Sequence, residues 1–488
     1  MSLRDRLGSV FKGPEEFDLT TGGIGWPLFY LSLPIVVTNL LQTAYNLADT
    51  FWLGQYSTNA LAAISFGFPM VFLLISLGMG LSVAGSVLVA QHIGADEESE
   101  AEYAASQTVS ITLVGSVFLG IAGFFAVETF LDVLGASEAV LPLATDYMEV
   151  ISLGMPFMFG FLVFISLMRG YGDTITPMLV MFGSVVLNIF IDPFLIFGFE
   201  NNPLFGMLGL RGVESQLLSM TGFTGSGIEG AAIATVFSRA LALVVGLAIM
   251  FSGTRGVRIR LSQMRPDFSF ARKLFAIGAP ASVEGTGRAL SINLLLFIVA
   301  MFPPTVVAAY GIGTRVFSVI FLPAIAVARG VETMTGQNIG AGKEHRAEQS
   351  ANFAAKVMFV VLSLLGVVAW FGARPITAVF TTDPAVIDVG TAFLRYVAPS
   401  FGFIGIMRSY TGSFRGAGET LTAAAVSILM LGVIRLPVAW FGAQEFGSSG
   451  IWLAFTVSNV LGALIAVAWY RRGTWQDGSL TQPTPADD

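Results

Sequence analysis

This sequence predicts an all-α integral membrane protein: twelve transmembrane helices in two homologous six-helix lobes around a central cleft. Three observations predict it. The 488 residues are 54% hydrophobic and 12% charged, with a mean hydropathy of +0.76, whereas a soluble domain carries about 25% charged residues. Apolar runs near the roughly 20 residues that cross a bilayer recur twelve times. The two halves of the chain also repeat one another at a fixed offset.

The apolar runs fall at about 24–51, 60–92, 103–126, 141–168, 175–199, 228–252, 270–301, 307–338, 350–372, 388–414, 420–442 and 449–470. Polar or Gly/Pro-bearing turns separate them. Both termini fall on one side, with Arg4, Arg6, Lys12, Arg169, Lys343, Arg346, Arg415, Arg471, Arg472 and the stretch TRGVRIRLSQMRPDFSFARK. The opposite loops offer little beyond Arg211 and Arg374. The excess of basic residues on one side predicts cytoplasmic termini and a multi-pass protein of the plasma membrane. Residues 1–23 lack the apolar core and small-residue cleavage site of a signal peptide; Leu3, Leu7, Val10 and Phe11 make at most a short interfacial helix. The expected division is an N-terminal cytoplasmic segment 1–23, a first lobe 24–253, a cytoplasmic linker 254–270, a second lobe 271–470 and a cytoplasmic tail 471–488.

Three anchors carry the repeat. LFYLSLPIV around Pro34 resembles LFAIGAPAS around Pro280, AQHIGADEE at Gln91 resembles GQNIGAGKE at Gln337, and MRGYGDTITP at Arg169 resembles FRGAGETLTA at Arg415. Each pair is 246 residues apart (280 − 34). Six helices per repeat is an even number, so both lobes share one orientation and enclose a cleft suited to alternating access. Gly230 aligns with Gly450 at a shorter offset, so the first lobe carries an insertion in the loop at 200–227. Met207, Leu210, Val213, Leu217 and Leu218 there have helical apolar spacing, which suits a surface hairpin or a gate.

Differences between the repeats point to chemistry. Thr38, Gln42, Tyr45, Asn46 and Asp49 form one stripe of the first span, and a carboxylate inside a membrane span is a functional candidate because it is costly to hold there. On the fifth span Ser184, Asn188 and Asp192 share a face, and on the sixth Thr235 and Ser238 do. Asp49 aligns with Leu295, Asp192 with Leu436 and Thr235 with Phe455, so the scaffold itself requires none of these polar groups. At about 1.5 Å per residue, Asp49, Asp192 and Thr235 reach similar depths in the outer half of the first lobe. Asp49, Asn188, Asp192 and Thr235 would suit Na+ through oxygen ligands, and a proton equally well.

Several classes are excluded or unsupported. There is no cysteine and only two histidines, His92 and His345. No HExxH, GxSxG or phosphate-cradling loop is present, so neither an enzyme nor direct ATP drive is expected, and no cofactor or nucleic-acid partner is. Glu284 and Arg288, one turn apart on the seventh span, predict an internal ion pair. Arg315, Arg329, Glu332, Arg408 and Arg435 line the second half of the cleft or pair among themselves.

NLADTFWLG at 46–54, AQHIGA at 90–95, RGYGDTITPM at 169–178, LNIFIDPFLIFG at 187–198 and GAAIATVFSR at 230–239, with their second-half echoes, resemble the multidrug and toxic compound extrusion (MATE) family, its archaeal and DinF-like branch above all. The resemblance spans about residues 20–470. It implies an antiporter that expels amphipathic, often cationic, drug-like compounds across the bilayer in exchange for H+ or Na+; the expected unit is a monomer. It also implies that Asp49 and Asp192 are the cation-coupled acids, with Asn188, Thr235, Tyr45 and Tyr147 around them, and that Pro34 is a hinge of the first helix. Gln42 and Asn46 belong with the cavity. Where relatives carry asparagines before the RG motif, this chain has Leu162 and Ile165, which predicts a more apolar pocket. A lipid or lipid-linked oligosaccharide flippase of the same superfamily is the alternative.

Overall fold

The structure, a computed structural model, describes residues 19–481 apart from the side chains of Phe68 and Pro69. The interfacial helix expected from Leu3, Leu7, Val10 and Phe11 lies outside the described residues. In the first lobe the helices are α1 (Gly25–Tyr56), α2 (Thr58–Gly94), α3 (Glu98–Val133), α4 (Leu141–Leu153), α5 (Met155–Tyr171) and α6 (Ile175–Phe197). The short α7 (Pro203–Met207) and α8 (Arg211–Thr221) precede α9 (Gly227–Ser252). The second lobe contains α10 (Phe268–Val299), α11 (Pro304–Gly340), α12 (Glu344–Phe371), α13 (Ala373–Ala378), α14 (Pro384–Val397), α15 (Phe401–Gly416), α16 (Thr420–Ile428), α17 (Leu436–Phe446) and α18 (Ser448–Tyr470). Among the described residues, 11 spans are long and apolar enough to cross a membrane, and α4 with α5 makes a bent twelfth.

Local sequence explains the ends and the breaks. Ser57 caps α2 by accepting from the backbone N–H groups of Asn59 and Ala60, filling donors that a helix start leaves unpaired. Asp267 does the same for α10 through Ser269 and Phe270. Hydrogen bonds from Ser269 and Tyr103 hold its carboxyl down at about 2. The RGYG and RGAG echoes have a common cause: Gly172 and Gly418 both adopt positive φ, 107° and 86°, where a side chain would be strained. The 55° bend between α4 and α5 falls two residues before Pro156, which has no N–H to continue the ladder. In the second lobe Pro399 lies in the 3-10 turn Ala398–Ser400 between α14 and α15. A π-helical stretch, Leu429–Arg435, joins α16 to α17 just before Pro437, whereas α6 stays α-helical through Pro193. The first helix likewise continues through Pro34, whose carbonyl accepts from the Thr38 hydroxyl at 2.8 Å.

The lobes meet at the end that carries both described chain ends, and they exchange equivalent parts there. Leu28 and Leu31 of α1 are buried in the core of the second lobe with Val331 and Met334. Leu274 and Ile277 of α10, at the corresponding positions 246 residues on, are buried in the first-lobe core with Leu167 and Met168. The hydrogen bonds repeat the exchange: Gln91 Nε2 donates to the Gly416 carbonyl at 3.1 Å, and Gln337 Nε2 to the Gly170 carbonyl at 3.2 Å. Gly94 lies against the Gln337 backbone and Gly340 against the Gln91 backbone, so closely that a Cβ on either glycine would overlap a carbonyl oxygen. Among the described residues, the recorded hydrogen bonds between the lobes lie in this terminal half. The bundle is therefore sealed at one end.

The linker is fixed to the first lobe. Gln107 Nε2 donates to the carbonyls of Gln263 and Arg265, Ser110 to that of Met264, and Arg260 pairs with Glu102 at 2.6 Å. Chain ends brace the seal: the Leu480 N–H donates to Gln91 Oε1, and Asn338 Nδ2 donates to the Leu19 carbonyl.

Candidate functional site

The first lobe gathers polar groups from four spans. On α1, Tyr45 and Asp49 are one turn apart and both buried; on α6, Asn188 and Asp192 are one turn apart and inaccessible; on α9, Thr235 faces them. The Tyr45 hydroxyl donates to Thr235 Oγ1 at 2.5 Å. Asn188 Nδ2 donates to Asp192 Oδ1 at 3.1 Å. Asp49, Asp192 and Tyr147 of α4 lie in one neighbourhood.

Three buried oxygens of this site have no hydrogen-bond partner: Asp49 Oδ1, Asp192 Oδ2 and Asn188 Oδ1. Leaving a buried acceptor unmet costs about 1–3 kcal/mol each. Three convergent oxygen acceptors beside the Thr235 hydroxyl are the donor set a hard cation takes, and a shared proton would relieve the carboxyl pair in the same way. Thus the structure brings together Asp49, Asp192, Asn188, Thr235, Tyr45 and Tyr147. Gln42 and Asn46 bond each other at 3.1 Å on the exposed side of α1. Leu162 and Ile165 are half-buried, Ile165 against the first-lobe core.

Sequence reasoning missed Arg239. This buried guanidinium of α9 donates to Gln42 Oε1 at 2.7 Å and lies 4.9 Å from the centre of the Tyr45 ring. It ties the stripe on α1 to α9. The signal was there: Arg239 stands one turn after Thr235, on the same face of an apolar span.

The second lobe holds a different cluster. Glu284 accepts from Arg288 and Arg415, both at 3.2 Å, and from Ser427 at 2.8 Å. Glu332 accepts from Arg329 at 2.9 Å and Arg415 at 3.1 Å. The expected Glu284–Arg288 pair is therefore one edge of a larger network. Arg435 bonds Ser458 and Asn459 and covers the Phe455 ring, and Arg315 of α11 is exposed. The insertion forms α7 and α8 rather than one hairpin: Asn202 Nδ2 donates to the Pro193 and Gly198 carbonyls, and Glu214 accepts from the Asn202 N–H and from Arg211. Met207 and Val213 there are exposed. His92 pairs with Glu97 at 2.7 Å.

Two repeated lobes of spanning helices, sealed at one end and carrying the buried aspartates Asp49 and Asp192 in the first, define a membrane transporter built from internal repeats. The MatE family model matches residues 34–194 and again 280–441; the chain belongs to the MatE family, a family of transporters and not of enzymes. The chain is 28% identical to a protein of Shewanella oneidensis named FAD transporter, over 92% of this chain and 94% of that one. It is 27% identical to the probable multidrug resistance protein YpnP of Bacillus subtilis, over 95% and 98%. In fold it matches the outward-facing conformation of a multidrug resistance MATE family transporter, with a TM-score of 0.83 at 22% identity over 95% of this chain and 98% of that one.

Proposed function

We propose that this chain is a secondary antiporter that exports amphipathic organic compounds in exchange for H+ or Na+ held between Asp49 and Asp192. The observation that carries the reading is the set of unpartnered oxygens on Asp49, Asp192 and Asn188, buried at the junction of α1 and α6. Ion entry would satisfy those oxygens and tighten α1 against α6 and α9, with Pro34 as the place where the first helix gives way. Moving one charge across 100 mV supplies about 2.3 kcal/mol. The moving bodies in this reading are the lobes 24–253 and 271–470. The sealed end faces the cytoplasm of a plasma-membrane protein, because Lys343, Arg346, Arg471, Arg472 and the basic linker lie there, while Arg211 and Arg374 at the other end are paired with Glu214 and Asp388. Multidrug resistance names among the relatives support an organic substrate, and the FAD transporter brings in an anionic one. The transporting unit is taken to be a monomer.

Efflux of a fluorescent amphipathic dye from reconstituted vesicles, under separately imposed H+ and Na+ gradients, tests the proposal. Asp49→Asn and Asp192→Asn should each cut gradient-driven flux about a hundredfold, corresponding to ~3 kcal/mol. Leu295→Met, at the second-lobe counterpart of Asp49, changes core packing without adding a polar group and should leave it unchanged. Undiminished coupled transport in both aspartate variants overturns the reading.

A further inference from the structure

Four guanidiniums, those of Arg288, Arg329, Arg408 and Arg415, surround two carboxylates, Glu284 and Glu332. The carboxylates are already engaged by Arg288, Arg329, Arg415 and Ser427. Arg408 is left over. Its nearest carboxylate oxygen, on Glu284, is 4.0 Å away, beyond hydrogen-bond reach. Its Nε is buried without a partner, as is that of Arg288. Arg408 is itself only 5% exposed and has its like-charged neighbour Arg288 close by. That long ion pair leaves Arg408 poorly matched, and a charge removed from water costs several kcal/mol unless it is closely paired, so this buried surplus of cations favours a further anion.

The surroundings say what kind of anion. The Arg408 guanidinium lies 4.6 Å from the centre of the Phe321 ring, which stacks on Phe317 at 5.6 Å. Arg288 and Arg329 remain 28% and 18% exposed, so the cluster opens onto free space. Gly285, beside Glu284, packs against Ser76 of α2 in the other lobe. We propose that the second lobe binds the carboxylate or phosphate of an amphipathic organic anion at Arg408 and Arg288, with its apolar or aromatic body against Phe321 and Phe317. Planar guanidinium forks suit such oxyanions. The proposal rests on the reading of the cleft as the substrate chamber and names the charge of what enters it.

Binding measured without any ion gradient separates this proposal from the antiport reading. The full chain in phosphatidylcholine nanodiscs is titrated with 2-naphthyl phosphate, its neutral twin 2-naphthol and a cationic naphthyl trimethylammonium salt. The phosphate should bind at least about tenfold tighter than either twin, as a charge-assisted hydrogen bond implies. Arg408→Gln should abolish that preference, and Asp49→Asn should keep it. Because the Arg408 side chain makes no hydrogen bond in the described structure, Arg408→Gln should leave the ligand-free melting midpoint unchanged or raise it, an effect opposite to loss of a structural arginine. Arg288→Gln, at the more exposed site, should also weaken the phosphate preference. Competition by phosphatidylglycerol added to the nanodisc would assign the anionic group to a lipid headgroup; indifference to it would assign a soluble anion, and either outcome supports the site. Equal affinity for the three probes, an unchanged preference in Arg408→Gln, or a lowered or lost ligand-free fold in that variant overturns it.

Discussion

The two lobes share one scaffold and carry opposite charges. In the first, the buried ionisable groups at the centre of the site are the acids Asp49 and Asp192, with Arg239 beside them. In the second, Glu284 and Glu332 are outnumbered by arginines, and Arg408 occupies the position of Leu162 in the repeat. The backbone and core that build the seal are common to both: Gln91 and Gln337, Gly94 and Gly340, and the leucine pair Leu28 and Leu31 answered by Leu274 and Ile277. What the repeat holds in common is thus the closure between the lobes, and what it lets diverge is the polarity of the groups behind that closure.

The largest effect that would test this division is expected at Glu332. Glu332→Gln takes the carboxylate from Arg329 and one of two from Arg415 and should lower stability by about 3–5 kcal/mol, read as a fall in the melting midpoint of the purified protein. At the equivalent first-lobe position, Ser86→Ala should cost no more than about 1 kcal/mol. Equal losses would erase the distinction between a charged second lobe and a neutral counterpart. Next come the paired glycines. Gly94→Ala and Gly340→Ala each force a methyl group onto a carbonyl across the seal, weakening the closed form by about 1–3 kcal/mol. Since the natural chain has no cysteine, a single cysteine placed at the buried Thr333 should react faster with maleimide in both variants and to a similar extent. A response confined to one of them would break the symmetry of the seal. The smallest effect is expected at Asp267, which caps α10 whereas Ile24 gives α1 no side-chain cap. Its carboxyl is held at about 2, below its unfolded value of about 3.9. The stabilisation is therefore present above about pH 4 and lost as the pH falls through about 2. Asp267→Ala should lower the melting midpoint at neutral pH by less than the glycine variants do, with the gap from the natural protein closing on acidification.

Much of this was legible in the chain. Hydropathy marked the spans, and the fixed offset revealed the lobes, because both depend on local pattern. The meeting of Asp49, Asn188, Asp192 and Thr235 was readable from helical phase and depth, since each lies on a buried face whose position along its span can be counted. Spacing cannot reveal pairing across the fold. Glu284 and Arg288 looked like a simple one-turn pair, yet Arg415 and Ser427, more than a hundred residues further on, share the same carboxylate. For the same reason Arg408 could not be told apart from the other arginines until its lack of a partner was visible. The bend at Gly154 and the π-helical stretch before Pro437 also needed the backbone, because proline marks where a ladder is interrupted but not how the chain absorbs the interruption.

The linker between the lobes is bound along its length to α3 by Gln107, Ser110 and Glu102, and Tyr103 reaches Asp267 at the threshold of α10. A strap fixed in this way turns with the body to which it is tied. The first turns of α10 are held in the same way, since Gly278 and Gly80 bring the two backbones together, so the linker and the start of this helix belong mechanically to the first lobe although the rest of α10 belongs to the second.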